Sequence, residues 1–311
     1  MLLLTGATGL VGSALLRRLV AEGQPVRCLV RDPRRLGPQR VRVQIALGDL
    51  TDPPSFRNAM RGVDTVVHLA ASTRDQPRGS IEELAAIATW RMVEAAQRAG
   101  VQRFVFFSAL GASTHHRARL FRAKALAEQA VREADLHSTV IAPSLVYAPG
   151  DRWLTMLERL SLLPMMPVSG RGRAMCQPIW AEDVADFVMA ALLGGSRPTE
   201  PSEQRSNEQR SNGAGATSER YELAGPETLS YDDVIRSALR SLHRERALAH
   251  IPTPLVSRTL RLVERLAGQR TPATWDEAEL LEANMVSRRG AADAEALGVR
   301  PQSISAVLGV G

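Results

Sequence analysis

A glycine-rich turn follows a short apolar run at the very start of the chain. The first twelve residues read MLLLTGATGLVG, with Gly6, Gly9 and Gly12 spaced three residues apart. Gly6 permits a tight turn, Gly9 lets backbone amides approach an anion, and Gly12 lets the next helix pack closely on the strand. The pattern that follows predicts a helix over Leu10–Glu22. The N-terminal amides and the dipole of this helix would face the anion that Gly9 lets the backbone approach. Together these features predict a binding site for the pyrophosphate of a dinucleotide.

Short apolar runs alternate with helical patterns as far as about residue 143. The runs are continuous stretches of Val, Ile, Leu and Phe, which is typical of parallel strands covered on both faces. The predicted strands are Leu2–Thr5, Val26–Val30, Val41–Leu47, Thr65–Ala70, Phe104–Ser108 and Ser138–Ala142. The predicted helices are Leu10–Glu22, Pro54–Arg61, Ile81–Ala99 and Arg119–Ala134. We therefore predict an α/β fold with a doubly wound parallel sheet, whose ligand lies at the carboxyl ends of the strands.

The regular alternation ends at about Pro143, and Pro- and Met-rich segments and helices follow. We predict a dinucleotide-binding domain over residues 1–150 and a smaller, mostly helical substrate region over 151–311. Two parts of the second region, about 178–193 and 220–224, are expected to pack back on the sheet.

A polar stretch interrupts this second region. Residues 194–219 have almost no apolar side chains and contain the tandem repeat EQRSN at 203–212. Such a composition cannot bury enough apolar surface to offset the entropy of ordering, so we predict a disordered insertion. An insertion tolerated at a surface connection explains the repeat better than a binding role does.

Composition excludes several classes of protein. The chain has 311 residues, of which 44% are hydrophobic, enough for one large core or two unequal ones. Cys28 and Cys176 provide neither a disulfide framework nor the spacing of a metal site. No apolar run reaches the ~18 residues of a membrane span, and the N-terminus lacks the basic segment of a signal peptide. We therefore expect a cytoplasmic protein without a metal site, with peripheral membrane association left open.

The net charge of +6 raises the question of a nucleic-acid partner. The arginines are spread along the whole chain rather than gathered in a patch with interleaved aromatic residues, so we expect none. The partner we expect instead is a small-molecule substrate, which the sequence does not identify. It does not indicate the oligomeric state either.

Seven motifs occur in a fixed order along the chain. They are TGATGLVG, LVRDP, GDLTD, VVHLAA, FVFFSALGA, RAKALAE and PSLVYAPGD. Over about residues 1–190 they resemble the extended and atypical branch of the short-chain dehydrogenase/reductase superfamily. The C-terminal part, from IPTPLVSRTLRLVERLAG to LGVRPQSI, is similar to the NAD(P)-binding accessory subunit of respiratory complex I and its bacterial relatives. The resemblance implies a nicotinamide dinucleotide as cofactor.

The resemblance assigns individual positions to that cofactor. Asp49 and Leu50 match positions that flank the adenine, while Ala70 and Ala71 match small residues along the ribose and nicotinamide path. Backbone from Pro143 to Val146 is expected to meet the carboxamide. The cofactor-binding residues predicted in this way are Gly6, Thr8, Gly9, Leu10, Val11, Gly12, Arg31, Asp49, Leu50, Ala70, Ala71, Lys124, Pro143 and Val146.

The end of the second strand bears on the choice between NAD and NADP. A fold that takes NAD usually has Asp or Glu there, which accepts from the ribose 2′-hydroxyl and repels a 2′-phosphate. Here Arg31 occupies the position, and a guanidinium can hold a phosphate through two hydrogen bonds. We therefore predict NADP(H). The alternative is that Arg31 is an ordinary surface residue and that Asp32 binds the ribose of NAD.

Lys124 is the only lysine among 39 basic residues. A chain that otherwise uses arginine retains a lysine where a compact ammonium is needed. In the resemblance Lys124 matches the catalytic lysine, which bonds the nicotinamide ribose and lowers the pKa of a tyrosine four residues earlier. That earlier position is Leu120 here, so no phenol can act. Ser108 matches the residue that polarises the substrate, and the predicted catalytic residues are therefore Ser108 and Lys124.

Without the tyrosine, either another group supplies the proton or the protein binds the dinucleotide without reducing a carbonyl. His115 and His116, in the loop after the fifth strand, could act as general acids. The alternative, which we favour, is that both are exposed loop histidines. His68 matches no catalytic position and is predicted to be a core histidine, and Tyr147 is predicted to be structural.

Three functional classes follow. The first is an NADP(H)-dependent oxidoreductase that moves hydride to or from a small organic substrate. The second is a non-catalytic NAD(P)-binding structural or sensor protein of a respiratory-type assembly, which Leu120 and the C-terminal resemblance both favour. The third, a nucleotide-sugar epimerase or dehydratase, is the weakest, because that chemistry in the family depends on the missing tyrosine.

Overall fold

The computed structural model describes residues 1–194, 217–267 and 274–309. Thirteen strands occur in these ranges: β1 Leu2–Thr5, β2 Val26–Val30, β3 Gln44–Leu47, β4 Thr65–His68, β5 Arg103–Phe107, β6 His137–Pro143, β7 Val146–Tyr147, β8 Met165–Ser169, β9 Met175–Cys176, β10 Ile179–Trp180, β11 Ser218–Leu223, β12 Leu229–Ser230 and β13 Ala247–Ile251. Seven of them form one sheet in the order β11-β6-β5-β4-β1-β2-β3, and every pairing in it is parallel. The predicted doubly wound α/β fold is confirmed.

Eleven α-helices occur in the same ranges: α1 Leu10–Ala21, α2 Pro53–Arg57, α3 Ala88–Arg98, α4 Arg119–Arg132, α5 Arg152–Leu160, α6 Ala181–Leu193, α7 Tyr231–Ser241, α8 Thr253–Ala267, α9 Trp275–Leu280, α10 Ala292–Glu295 and α11 Ile304–Leu308. Short 3₁₀ segments cover residues 33–41 and 58–60, and one π-helical turn, 83–87, leads into α3. Side-chain caps begin several helices. For example, Asp151 accepts a hydrogen bond from the amide of Leu154 at the start of α5.

The sheet separates two apolar layers because successive strand residues point to opposite faces. Leu4 and Val67 face a core formed with α1 and α6, whereas Leu3 and Val66 face a core formed with α2, α3 and α4. Ion pairs link α1 and α6, the two helices of the first layer. Arg17 and Arg18 of α1 pair with Glu182 of α6, and Arg18 also pairs with Asp186.

The structure corrects the predictions at the two edges of the sheet. At one edge, β3 begins at Gln44 rather than Val41, since Val41 ends a 3₁₀ segment, and three of the four β3 residues are exposed rather than covered. At the other edge, β11 begins at Ser218, so the last residues of the predicted disordered insertion are in a strand that pairs with β6. The rest of that insertion, 195–216 with its EQRSN repeat, lies outside the described residues.

Beyond β7, where α6 and β11 join the main sheet and its core, other elements build a second, smaller layer. β8 and β13 pair in parallel, and α5 and α7 pack on them around Leu157, Met166 and Ile235. In the ranges the structure describes, no helix is long and apolar enough to cross a membrane.

Candidate functional site

The three glycines of the first turn have different surroundings. Gly6 has φ +73°, and a Cβ there would lie 2.7 Å from the amide nitrogen of Ala70 in the chain after β4. A Cβ on Gly12 would overlap the carbonyl oxygen of Gly6. Gly9 is exposed, and the nearest atom to its Cβ would be the Gly6 oxygen at 3.2 Å. Gly6 and Gly12 therefore allow close packing, whereas a Cβ at the exposed Gly9 would make one tight contact, with the Gly6 carbonyl oxygen.

The N-terminus of α1 presents its amides beside Gly9. The first helical hydrogen bond of α1 runs from the Ser13 amide to the Gly9 carbonyl at 2.9 Å, so the amides of Leu10, Val11 and Gly12 precede the hydrogen-bonded turns. The first turn contains no acidic residue and no side-chain cap. An anion at this point would meet free amides and the positive end of the helix dipole.

A cleft of about 390 Å³ opens at the carboxyl ends of β1, β2 and β4. This is where the strand order reverses, because β1 lies between β2 and β4. Eight predicted cofactor residues line it: Gly6, Thr8, Gly9, Arg31, Asp49, Leu50, Ala70 and Ala71. Sequence reasoning missed several lining residues, among them Arg35, Ser72 and Gln76. The cluster RDPRR was the available signal for Arg35.

Arg31 and Arg35 both line this cleft, at the end of β2. Between them, Asp32 accepts a hydrogen bond from the Arg34 amide at 2.9 Å and so caps the 3₁₀ segment that follows. One carboxylate oxygen of Asp32 is thus already engaged by the backbone. On the other side of the cleft, Asp49 accepts from the amide and hydroxyl of Thr51, both at 3.0 Å.

His68 is fully buried below the cleft. Its Nδ1 is 2.8 Å from the Thr5 hydroxyl and its Nε2 is 3.1 Å from the Thr89 hydroxyl. Burial, and secondarily the charge of Lys124, lower the pKa of His68 to about 3. The ring is therefore neutral, with both nitrogens engaged, and the prediction of a core histidine is confirmed.

Ser108 follows β5 directly and Lys124 is on α4; both are buried, and neither is in the cleft lining. Lys124 is 4% exposed. Its ammonium donates to the Phe107 carbonyl and lies 4.9 Å from the centre of the Phe106 ring. Burial lowers the pKa of Lys124 to about 8, although the charge of Glu128 opposes the shift.

The Ser108 hydroxyl is buried and has no hydrogen-bond partner within the described part of the chain. Its backbone amide is engaged, donating to the Ile141 carbonyl at 2.7 Å. A buried hydroxyl usually has a partner, so a polar ligand atom at the end of β5 would fit here. Together with the free amides of α1 and the exposed backbone of Gly9 in the cleft lining, this hydroxyl makes the residues present compatible with a dinucleotide.

Leu120 and the two loop histidines have different surroundings. Leu120 packs against Ile81 and Ala85 in a small apolar cluster. His116 accepts from the Ala118 amide at 3.0 Å, and its ring stacks on Phe121 at a centroid distance of 4.5 Å. Burial lowers the pKa of His116. His116 therefore helps to shape the start of α4, while His115 is exposed.

The carboxamide positions are engaged by the chain itself. The Pro143 carbonyl accepts from the Leu110 amide at 2.8 Å, and Val146 pairs with Ile179 in a short parallel ladder. Neither residue lines the cleft.

A C-terminal segment, residues 274–287, lies across the loops that follow β4, β5 and β6. At one end Glu277 pairs with Arg74 at 2.6 Å, and at the other the Met285 carbonyl accepts from the Ser144 hydroxyl at 2.7 Å. In between, Arg119 at the start of α4 pairs with Asp276 at 3.3 Å. This segment covers the side of the site where the nicotinamide is expected. Sequence reasoning did not foresee it, although the capping-box pattern TWDE at 274–277 marks its helix.

The chain was compared with known proteins. Residues 6–193 match the family model described as NAD(P)H-binding. The chain belongs to this NAD(P)H-binding family. The match covers the glycine turn, every residue of the cleft lining except Thr5, and Lys124.

Relatives within and around this family carry several different names. A ceramide reductase of Caulobacter vibrioides is 29% identical over 60% of this chain and 59% of its own length. The NADH-ubiquinone oxidoreductase 40 kDa subunit of Neurospora crassa is 23% identical over 96% of this chain and 75% of its own length. The chain spans about half the length of the first curated relatives that it matches. Among solved structures, a nucleoside-diphosphate-sugar epimerase of Staphylococcus aureus has a TM-score of 0.74 at 17% identity over 99% of both chains, a likeness of fold alone.

Proposed function

We propose that this protein is an NADP(H)-dependent reductase of a small organic substrate. The observation that carries the proposal is the buried Ser108 hydroxyl after β5, which has no partner among the described residues; the Lys124 ammonium on α4 donates to the carbonyl of Phe107, the residue before Ser108. Reductase names among the relatives support the same reaction class.

In this proposal, different residues along the cleft bind different parts of the cofactor and the substrate. The α1 amides hold the pyrophosphate, and Arg31 and Arg35 hold a 2′-phosphate at the adenosine end. Lys124 donates to ribose hydroxyls next to the nicotinamide, and Ser108 donates to the substrate oxygen. A nicotinamide cofactor bound here supplies the hydride. Because Leu120 replaces the phenol, the proton comes from water or from a group on the substrate.

The test is NADPH oxidation by the purified chain with a panel of carbonyl, enone and quinone compounds. With an accepted compound, Ser108→Ala should lower kcat about 10²-fold or more, as loss of an oxyanion donor does, while NADPH affinity stays unchanged. Ser113→Ala, an exposed serine in the loop after β5, is the matched control and should keep full activity. Equal activity in Ser108→Ala would remove Ser108 from the reaction.

A second candidate function is dinucleotide binding without turnover. The observation that favours it is the segment 274–287, which covers the nicotinamide side through Arg74, Arg119 and Ser144. It predicts tight NADPH binding with no oxidation by any compound of the panel.

A further inference from the structure

The turn after α5 and the first residue of β8 expose neighbouring apolar side chains. Leu162 is 70% exposed, Leu163 46% and Met165 55%. Pro164 between them is also exposed, whereas Met166, the next residue, is fully buried. We call Leu162, Leu163, Pro164 and Met165 the apolar tip. Four consecutive nonpolar residues on the surface are unusual for a turn, where polar residues dominate.

Two arginines hold the backbone of this turn from behind. Arg244 donates to the Glu158 carbonyl at 3.2 Å and to the Ser161 hydroxyl at 2.6 Å. Arg246 donates to the carbonyls of Ser161 and Leu163, at 3.0 and 3.1 Å. Carbonyls that are already hydrogen-bonded cost less to remove from water than free ones. The tip can therefore enter a medium of low polarity with part of its backbone satisfied.

The charges around the tip favour an anionic surface. Arg159 is exposed on the last turn of α5, and Arg240 is exposed on the last turn of α7, which leads directly into the turn that carries Arg244 and Arg246. The acidic residues in these two turns are Glu158 and Glu245. Arginines thus outnumber carboxylates by four to two, and Arg244 and Arg246 bond neutral carbonyl and hydroxyl groups.

We propose that the apolar tip docks on a lipid bilayer with anionic headgroups. The Leu and Met side chains enter the headgroup region, and the surrounding arginines contact lipid phosphates. The chain combines an apolar tip, a satisfied backbone and an excess of cations at one place, which is the combination that binding in the plane of the interface needs. This docking is independent of the cofactor site.

The first test is co-sedimentation of the full chain with vesicles. We expect binding to vesicles of phosphatidylcholine and phosphatidylglycerol in equal parts, and about tenfold weaker binding to phosphatidylcholine alone. Leu162→Asp with Leu163→Asp should lower the partition coefficient at least tenfold. The matched control is Val41→Asp with Leu126→Asp, two apolar side chains exposed elsewhere by 82% and 49%, which should leave binding unchanged. Unchanged NADPH affinity in both variants would show that they fold.

The second test locates the contact. Both native cysteines are buried, with pKa values raised to about 12 by burial, so a cysteine introduced at the surface can be labelled selectively. A polarity-sensitive fluorophore on Leu162→Cys should shift to the blue when anionic vesicles are added, and the same label on Val41→Cys should not.

Three results would overturn the proposal. The native chain could fail to sediment with anionic vesicles, or it could sediment equally well without the tip leucines. Third, the native chain could self-associate through the tip and fail to bind vesicles. Its elution would then depend on concentration, and the double Asp variant would abolish that dependence. In that case the tip is a contact between two copies of this chain.

Discussion

At the scale of single residues, the glycines of the first turn serve different purposes. Gly12 has no room for a Cβ because the Gly6 carbonyl occupies the place, so its role is packing between α1 and β1. Gly9 lines the cleft, a Cβ there would lie 3.2 Å from the Gly6 oxygen, and its φ of −83° and ψ of 178° are extended values that any residue can adopt. The spacing in the sequence identifies the three positions, but only the surroundings separate their roles.

Two substitutions test this difference. Gly9→Val should leave the unfolding free energy nearly unchanged and abolish dinucleotide binding, because its side chain occupies ligand space. Gly12→Ala should destabilise the fold by about 1–3 kcal/mol, as overpacking does. Urea denaturation and calorimetry with NADPH measure the two effects. Normal NADPH binding by Gly9→Val would place the site elsewhere.

Lys124 gives the protein a pH-dependent stability term. Its pKa is about 8 when folded and 10.5 in the unfolded reference, so between these values the unfolded chain holds the extra proton. The unfolding free energy therefore rises with pH from about 8 to 10.5, because the cost of burying the cation is relieved. The Lys124→Met variant lacks this rise. The difference in unfolding free energy between the variant and the native chain should therefore change by roughly 3 kcal/mol at most across that pH window. Urea denaturation at several pH values measures it, and parallel stability curves would contradict the buried ammonium.

At the scale of elements, an ion pair of Arg119 holds α9 to the start of α4, next to a small apolar cluster that includes Leu280 and Phe121. Arg119 contacts Asp75 at 3.1 Å, Glu82 at 2.6 Å and Asp276 at 3.3 Å. The Arg119 guanidinium lowers the pKa of Glu82 to about 2. Arg119, at the start of α4, is therefore linked both to the chain after β4 and to α9.

Removal of that junction should loosen α9 locally. In Arg119→Ala we expect amide hydrogen exchange in α9 to accelerate about tenfold or more, because local opening no longer breaks the ion pair with Asp276. Arg98→Ala, which removes a surface pair with Glu94 inside α3, is the matched control and should leave α9 unchanged. Equal exchange rates in the two variants would show that Arg119 does not hold the segment.

Elements differ in how far the sequence predicts them. The bounds of β2 agree with its apolar run, because a strand buried on both faces leaves a continuous signal. The bounds of β3 do not agree with its apolar run, because the residues of an exposed edge strand need not be apolar. The position of α9 depends on ion pairs such as Arg119 with Asp276, 157 positions apart, and local patterns contain no information on contacts of that range.

At the scale of the whole molecule, the cleft at the ends of β1, β2 and β4 is more predictable than the half of the site around Ser108 and Lys124. The glycine turn, Arg31 and Asp49 come from short motifs next to strands of the sheet, and all of them line the cleft. The other half combines Ser108 and Lys124 with a covering segment from the far end of the chain. Motif spacing locates Ser108 and Lys124. The position of the covering segment, and so the substrate that can enter, depends on tertiary packing.

Calorimetry with NADPH and NADH tests whether the cleft binds NADP(H) through Arg31 and Arg35, as we propose. We expect NADPH to bind at least tenfold more tightly than NADH, and Arg31→Asp to remove that preference at a cost of ~1.5–3 kcal/mol in NADPH affinity. Arg34→Asp, in the same turn but outside the cleft lining, is the matched control and should keep the preference. Equal affinities for the two cofactors in the native chain would contradict the claim.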